Sequence, residues 1–315
     1  MKRLIYCIPL FILASISFIG CKKNNNTATY PNFDEFIQSQ PNLTTFSQAL
    51  DKAQLQNFKT GPGPFTWFAP TNAAFSAAGI SIDQMTAGQL SYILLYHLIN
   101  ATSDLQPVTT KDMYATTSFP RTTQMGSSVY FGQYKDSFYV NGSAIINPNN
   151  RLSNGYIHIL NRLNIPPNLR GNNQSILNAT GQHTLFIAAL MKAIPTGSTT
   201  SRWAQLASST FTLLAPTDAA MTAAGYTTTS INAAPAAQID SLVRYHMFSG
   251  SRFFTNDFAS VPTQPTFLGT AATVQFSNNG RSVAGRKNSS PVGIITPDLL
   301  GTTGVVHIIN GLLRY

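Results

Sequence analysis

Four of the chain's five histidines stand in matched pairs: the interval from His97 to His158 is 61 residues, and that from His246 to His307 is the same. An imidazole at such a position can ligate a metal, act as a general base, or sit neutral in a core with both nitrogens hydrogen-bonded. A metal site built within one element asks for a second ligand two to four residues away. None of the four has one, so neither a local metal site nor a cofactor is expected. The eleven acidic residues form no repeated close pair suited to glycoside hydrolysis. There is no Gly-x-Ser-x-Gly turn, no phosphate-cradling glycine loop and no His-Glu-x-x-His helix. These readings together argue against an enzyme.

The elements that would hold the histidines follow from periodicity. In LSYILLYHLIN (90–100), Leu90, Ile93, Leu94 and His97 fall at i, i+3, i+4 and i+7, one face of a helix, and Ile239, Leu242, Val243 and His246 repeat the stripe. A buried imidazole there needs a partner, because an unpaired polar group in an apolar core is costly. His158 and His307 lie in apolar, strand-like runs. For all four, a satisfied core histidine joining two elements is the plain reading, with ligand binding or proton transfer as the alternative. His183 falls outside the repeat and reads as a surface residue near a helix start.

The repeat extends well beyond the histidines. FTWFAPTNAAFSAAGI (65–80) recurs as FTLLAPTDAAMTAAGY (211–226) with ten of sixteen positions identical, and NGYIHILNRL (154–163) is echoed by TGVVHIINGL (303–312). In each copy a helical pattern (33–58; 184–194) precedes a short apolar strand halted by Pro70 or Pro216. Thr71 and Thr217 then stand where a hydroxyl can cap a second helix. After His97 the pattern becomes strand-like, with a hairpin signal at Asn141-Gly142. Helices first and strands second favour an α+β domain over a parallel α/β one.

At the N-terminus Lys2 and Arg3 precede an apolar run (4–19) shorter than the ~20 residues a membrane span needs, as in a secretory signal. The boundary Phe18-Ile19-Gly20-Cys21 resembles a bacterial lipobox, in which the cysteine is acylated and becomes the new N-terminus. Ordinary cleavage leaving a free Cys21 is the other reading. Cys7 lies in the cleaved run, so neither a disulfide nor a cysteine metal site is expected. The organisation expected is a lipoprotein signal peptide (1–20), a polar tether (21–32), a first domain (33–167), a linker (168–174) and a second domain (175–315).

FAPTNAAF after a strand, Tyr-His at a helix end (Tyr96-His97; Tyr245-His246), and the closing NGYIHILNRL segment resemble the signature segments of the fasciclin domain. The likeness covers both copies. It implies two tandem wedge-shaped β-sandwiches flanked by helices, in secreted or surface-anchored proteins acting in adhesion and matrix or polysaccharide association, with no general catalytic residues. It also implies that the histidine of the pair meets the first residue of the helix after the first signature: His97 with Asn72, and His246 with Asp218. On that pairing His97 has a depressed pKa and His246 a raised one. The copies depart from the family pattern at Asn72, and at Asn161 and Asn310, where aspartate is more usual.

Charge separates the two domains. Residues 31–168 carry seven bases and seven acids, whereas the rest of the chain, 169–315, carries nine bases and four acids. Arg281, Arg286 and Lys287 cluster in GRSVAGRKNSS, read as a hairpin where cations meet a polyanion or are simply solvated. Tyr130, Phe131, Tyr134, Phe138 and Tyr139 offer stacking surface for sugars, with about half expected inside by strand alternation. Two function classes follow. One is a lipid-anchored adhesion or interaction protein of the bacterial cell envelope, at the outer membrane or cell surface, contacting extracellular polysaccharide or a surface protein. The other is an accessory glycan-binding subunit of a polysaccharide capture and degradation system. Nucleic acid is not an expected partner.

Overall fold

The computed structural model describes residues 29–100, 107–113, 120–195 and 197–315. The signal segment, the lipobox and Cys21 lie outside the described residues. Among those described, no helix is long and apolar enough to cross a membrane.

Each domain is built on one seven-stranded sheet. The first contains β1 (Phe65–Pro70), β2 (Leu98–Asn100), β3 (Pro120–Thr122), β4 (Ser128–Tyr134), β5 (Ser137–Val140), β6 (Ser143–Leu152) and β7 (Gly155–Leu160), in the order β2-β1-β7-β6-β5-β4-β3. The second contains β8 (Phe211–Pro216), β9 (Met247–Ser249), β10 (Thr263–Thr266), β11 (Gly269–Ser277), β12 (Ser282–Gly285), β13 (Val292–Gly301) and β14 (Gly304–Ile309), in the order β10-β11-β12-β13-β14-β8-β9. Only the central pairs, β1–β7 and β8–β14, run parallel. Their strands are buried along almost their whole length, which suits their continuous apolar sequence.

Side-chain alternation sends β1 into two cores. Phe65, Trp67 and Ala69 pack with the helices, where Trp67 meets Phe33 and Phe46 edge-on at 5.9 and 5.6 Å. Phe68 points the other way and lies 5.6 Å from Phe131 of β4. Four strand spacings of ~4.8 Å separate β1 from β4 in a flat sheet, so ring contact requires the sheet to curl back on itself. Register shifts in β6 at Ile145/Asn147 and Asn147/Asn150 supply the bend, as β-bulges do. The second sheet curls likewise, bringing Phe248 of β9 to 6.3 Å from Phe276 of β11, with shifts at Ile294/Thr296 and Thr296/Leu299. The outcome is a sandwich with helices on its outer face, in agreement with the α+β reading.

Local signals hold in detail. Thr71 and Thr217 each accept the N–H three residues on, from Ala74 and Ala220 at 3.2 Å. Asn141 and Gly142 both adopt positive φ, 50° and 73°, and form the two-residue turn joining β5 to β6. The helical pattern of 33–58 is realised as Phe33–Gln38, Thr44–Lys52 and Gln56–Thr60, divided at Pro41 and at Gln54, whose φ is positive. The linker expected at 168–174 is largely helical. Pro167–Arg170 forms one turn packed on β13, and Asn172 then caps the helix Asn173–Thr180.

Candidate functional site

The four repeated histidines are fully buried, and each has both nitrogens engaged. His97 follows the helix Ala87–Leu95, and its Nδ1 faces the Ile93 carbonyl at 2.9 Å, while the Asn164 N–H donates to its Nε2 at 3.0 Å. His246 repeats this with the Leu242 carbonyl at 2.9 Å and the Leu313 N–H at 3.1 Å. A carbonyl can only accept and an amide N–H can only donate, so the proton sits on Nδ1 and the ring is neutral. His158 and His307 take the opposite tautomer. Their Nε2–H donates to Val108 O and Phe253 O at 2.9 Å, and Nδ1 accepts from the N–H of Asn149 and Asp298 at 3.2 Å.

The expected pairing of His97 with Asn72 and His246 with Asp218 is therefore incorrect. Asn72 accepts the Thr45 N–H and donates to Pro41 O and Thr44 Oγ1; Asp218 accepts from Thr184 Oγ1 and the Leu185 N–H. Both residues hold a preceding helix, and the histidines hold the segment that follows the last strand. The opposite pH responses fall with the pairing. Burial pushes His97, His158 and His246 down to about 4, and His307 is also lowered, chiefly by burial, although Asp298 opposes the shift. Protonating any of these rings would set an N–H against an N–H, so none has a lone pair to offer a metal or a substrate. Among the described residues no cluster of metal-ligating side chains occurs.

Tyr96 and Tyr245, beside these histidines, are buried and hydrogen-bonded. The Tyr96 hydroxyl donates to Ser128 O and accepts from Asn141 Nδ2, and burial raises its pKa. The Tyr245 hydroxyl donates to Thr273 O and accepts the Arg286 N–H. His183 is buried, not on the surface, with Nδ1 on Pro216 O at 2.8 Å and no partner for Nε2.

The polar chemistry left over gathers at the junction of the two domains. Asn149 and Asp298 are repeat-equivalent, each nine residues before its strand histidine, with φ near +60°. In the first domain Asn149 Oδ1 accepts the Thr110 N–H at 2.9 Å and Nδ2 donates to Thr110 Oγ1 at 2.7 Å. In the second, Asp298 accepts from the Thr255 N–H at 2.8 Å and from Thr255 Oγ1 at 3.0 Å, and additionally from Arg162 of the first domain at 2.9 Å. The Asp298 side chain is 0% exposed and that of Arg162 is 28% exposed. Gly142 permits the approach, since a Cβ there would lie 2.5 Å from the Asp298 carboxyl carbon. Around this pair, Tyr130 packs on Phe254 at 6.1 Å beneath the Arg252 guanidinium, Ser260 Oγ donates to Gln133 O, and Tyr134 reaches Asn279. Tyr130 and Tyr134 thus contact the second domain, Tyr139 is half-buried, and Phe131 and Phe138 are core.

Arg281, Arg286 and Lys287 are exposed but do not form one cluster in a hairpin. Ser282–Gly285 between them is β12, so Arg281 stands about 16 Å along the strand from Arg286. Arg286 and Lys287 have a different neighbour, Arg314, whose carbonyl accepts the Lys287 N–H at 3.0 Å. Sequence reasoning missed Arg314 because only the fold carries the chain end to that corner.

A fasciclin domain model matches residues 41–166 and 182–314. Stabilin-2 of Rattus norvegicus is 31% identical over 130 residues, covering 41% of this chain and 9% of that protein. Human periostin is 26% identical over 159 residues, 49% of this chain and 18% of that protein. An uncharacterized protein of Synechocystis is 29% identical over 139 residues, 42% of this chain and 96% of its own length. A fasciclin domain pair from the insect cell adhesion molecule fasciclin I covers 86% of this chain and 96% of that one at 16% identity, with a TM-score of 0.40. This chain spans only a small part of stabilin-2 and periostin. The chain belongs to the fasciclin family, with two fasciclin domains in tandem.

Proposed function

We propose that this protein is a lipid-anchored, non-catalytic adhesion or interaction protein of the bacterial cell surface, and that its second domain binds acidic extracellular polysaccharide. The observation carrying the reading is the corner formed by Arg286, Lys287 and Arg314, three exposed cations without an acid partner among the described residues. The second domain's four acids are all committed elsewhere. Asp218 holds the helix Thr184–Lys192, Asp240 pairs with Arg202 at 2.6 Å, Asp257 caps the helix Thr255–Ser260, and Asp298 pairs with Arg162. An exposed patch left unneutralised in this way attracts polyanions through long-range potential. The engagement of both nitrogens on each repeated histidine supports a binding role over a chemical one.

The test is retention of the full chain on immobilised sulfated and uronic-acid glycans. Retention is expected to fall between 0.1 M and 1 M salt, as the Debye length shrinks from ~10 to ~3 Å. It should also fall in the triple variant Arg286→Gln, Lys287→Gln, Arg314→Gln. Retention indifferent to both changes removes the electrostatic reading, and turnover of any glycan removes the non-catalytic one.

A further inference from the structure

Between the domains lies a cleft of about 460 Å³, within the range of small-molecule sites. One wall comes from the helix Asn72–Ala77 and residues 162–165 of the first domain with Arg170 of the linker, the other from residues 295–300 on β13. Much of the lining is apolar, including Ile80, Ile165 and Ile295, and Ile295 is 53% exposed.

The polar groups of the lining are unbalanced in a specific way, because their acceptors are already used. Both Asp298 oxygens are taken by Thr255 and Arg162, Asn141 Oδ1 accepts the Tyr130 N–H, and Asn164 Oδ1 accepts from Ser143 Oγ. The donors are not used up. Arg170 meets no acid or acceptor among the described residues, Arg162 commits only Nη2, and Asn164 Nδ2 has no acceptor. Two guanidiniums against one carboxylate leave one positive charge. Burial, and then the charge of Arg162, hold Arg170 below the usual arginine pKa, a penalty that an anion beside the guanidinium would relieve.

We infer that this interdomain cleft is a binding site for a small organic monocarboxylate with an apolar body, its carboxylate on the Arg170 guanidinium and its carbon chain along the isoleucines. A guanidinium fork suits a carboxylate. The single surplus charge suits a monoanion better than a phosphate monoester of about −1.5 to −2.

The test is titration of the full chain with hexanoate, 1-hexanol and sulfate, read by calorimetry and by the methyl resonances of Ile80, Ile165 and Ile295. Hexanoate should bind and shift these methyls, with 1-hexanol and sulfate each weaker by about tenfold or more, as loss of a charge-assisted hydrogen bond or of the apolar contact implies. Arg170→Gln should weaken hexanoate by about the same factor and leave 1-hexanol unchanged. Equal affinity for hexanoate and 1-hexanol, sulfate binding as tightly as hexanoate, undiminished binding by Arg170→Gln, or unmoved isoleucine methyls would each overturn the assignment. Should Arg170→Gln fail to fold, the three-ligand comparison on the unaltered chain decides by itself.

Discussion

The ion pair between Arg162 and Asp298 allows a prediction in which one domain serves as control for the other. Arg162→Ala would leave a fully buried carboxylate with only the N–H and hydroxyl of Thr255 as donors. Breaking a buried pair by removing one partner costs ~3–5 kcal/mol. Because Arg162 is 28% exposed and already partly hydrated, the lower end, about 3 kcal/mol, is expected. Asp298→Asn is different. An amide at the equivalent position of the first domain bonds both the N–H and the hydroxyl of its threonine, so the amide introduced by Asp298→Asn can do the same once the Thr255 hydroxyl turns to accept. What is lost is the pairing with a partly exposed arginine, about 1 kcal/mol. The double variant should be milder than Arg162→Ala alone, a coupling that a double-mutant cycle measures. The assay is urea denaturation of the full chain followed through the second domain's transition. If Asp298→Asn costs as much as Arg162→Ala, or if the two effects add, the uncompensated-charge argument is wrong.

Acid should destabilise both domains alike. With folded pKa values of about 4 against ~6.5 unfolded, His97, His158 and His246 each contribute stability fully present above ~6.5 and lost as pH falls toward 4, about 3 kcal/mol apiece. NMR titration in which any of the three charges above pH 6 would contradict this. Gly142→Ala should destabilise more than Gly79→Ala, since both glycines have positive φ but only Gly142 faces Asp298, whereas nothing lies within 4 Å of a Cβ at Gly79; equal denaturation midpoints would deny the contact. Cys21→Ser should move the protein from the membrane to the soluble fraction of fractionated cells, because acyl chains supply ~0.8 kcal/mol per buried methylene. A variant as membrane-bound as the parent would exclude lipid anchoring through Cys21.

Features set by short-range pattern were legible in the sequence: the threonine caps, the Asn141-Gly142 turn, the buried strand before each proline, and the histidine stripe. The histidine partners were not, because they are backbone groups. The N–H of Asn164, 67 residues beyond His97, carries no side-chain signature. His183 was misplaced for the same reason, its partner being the Pro216 carbonyl. The junction left a fainter trace. Aligning the copies sets Asn149 against Asp298 and Arg162 against Gly311, an acid gained in one copy and a base in the other, but only the fold shows that they meet. The expected basic cluster failed because residues adjacent in sequence are pulled apart by an extended strand.

The parallel pair at each sheet's centre bears on how each domain folds. Phe65 pairs with Gly155, 90 residues later, and Phe211 with Gly304, 93 residues later. Each domain is thus fastened by its first strand to its last, and the strands between hang from that late closure. A chain emerging from its N-terminus cannot complete the middle of the sheet until the end of the domain arrives, and such distant pairings slow folding. Until then β1 and β8 carry apolar side chains on both faces without their central neighbour. That interval is when the protein is most exposed to aggregation.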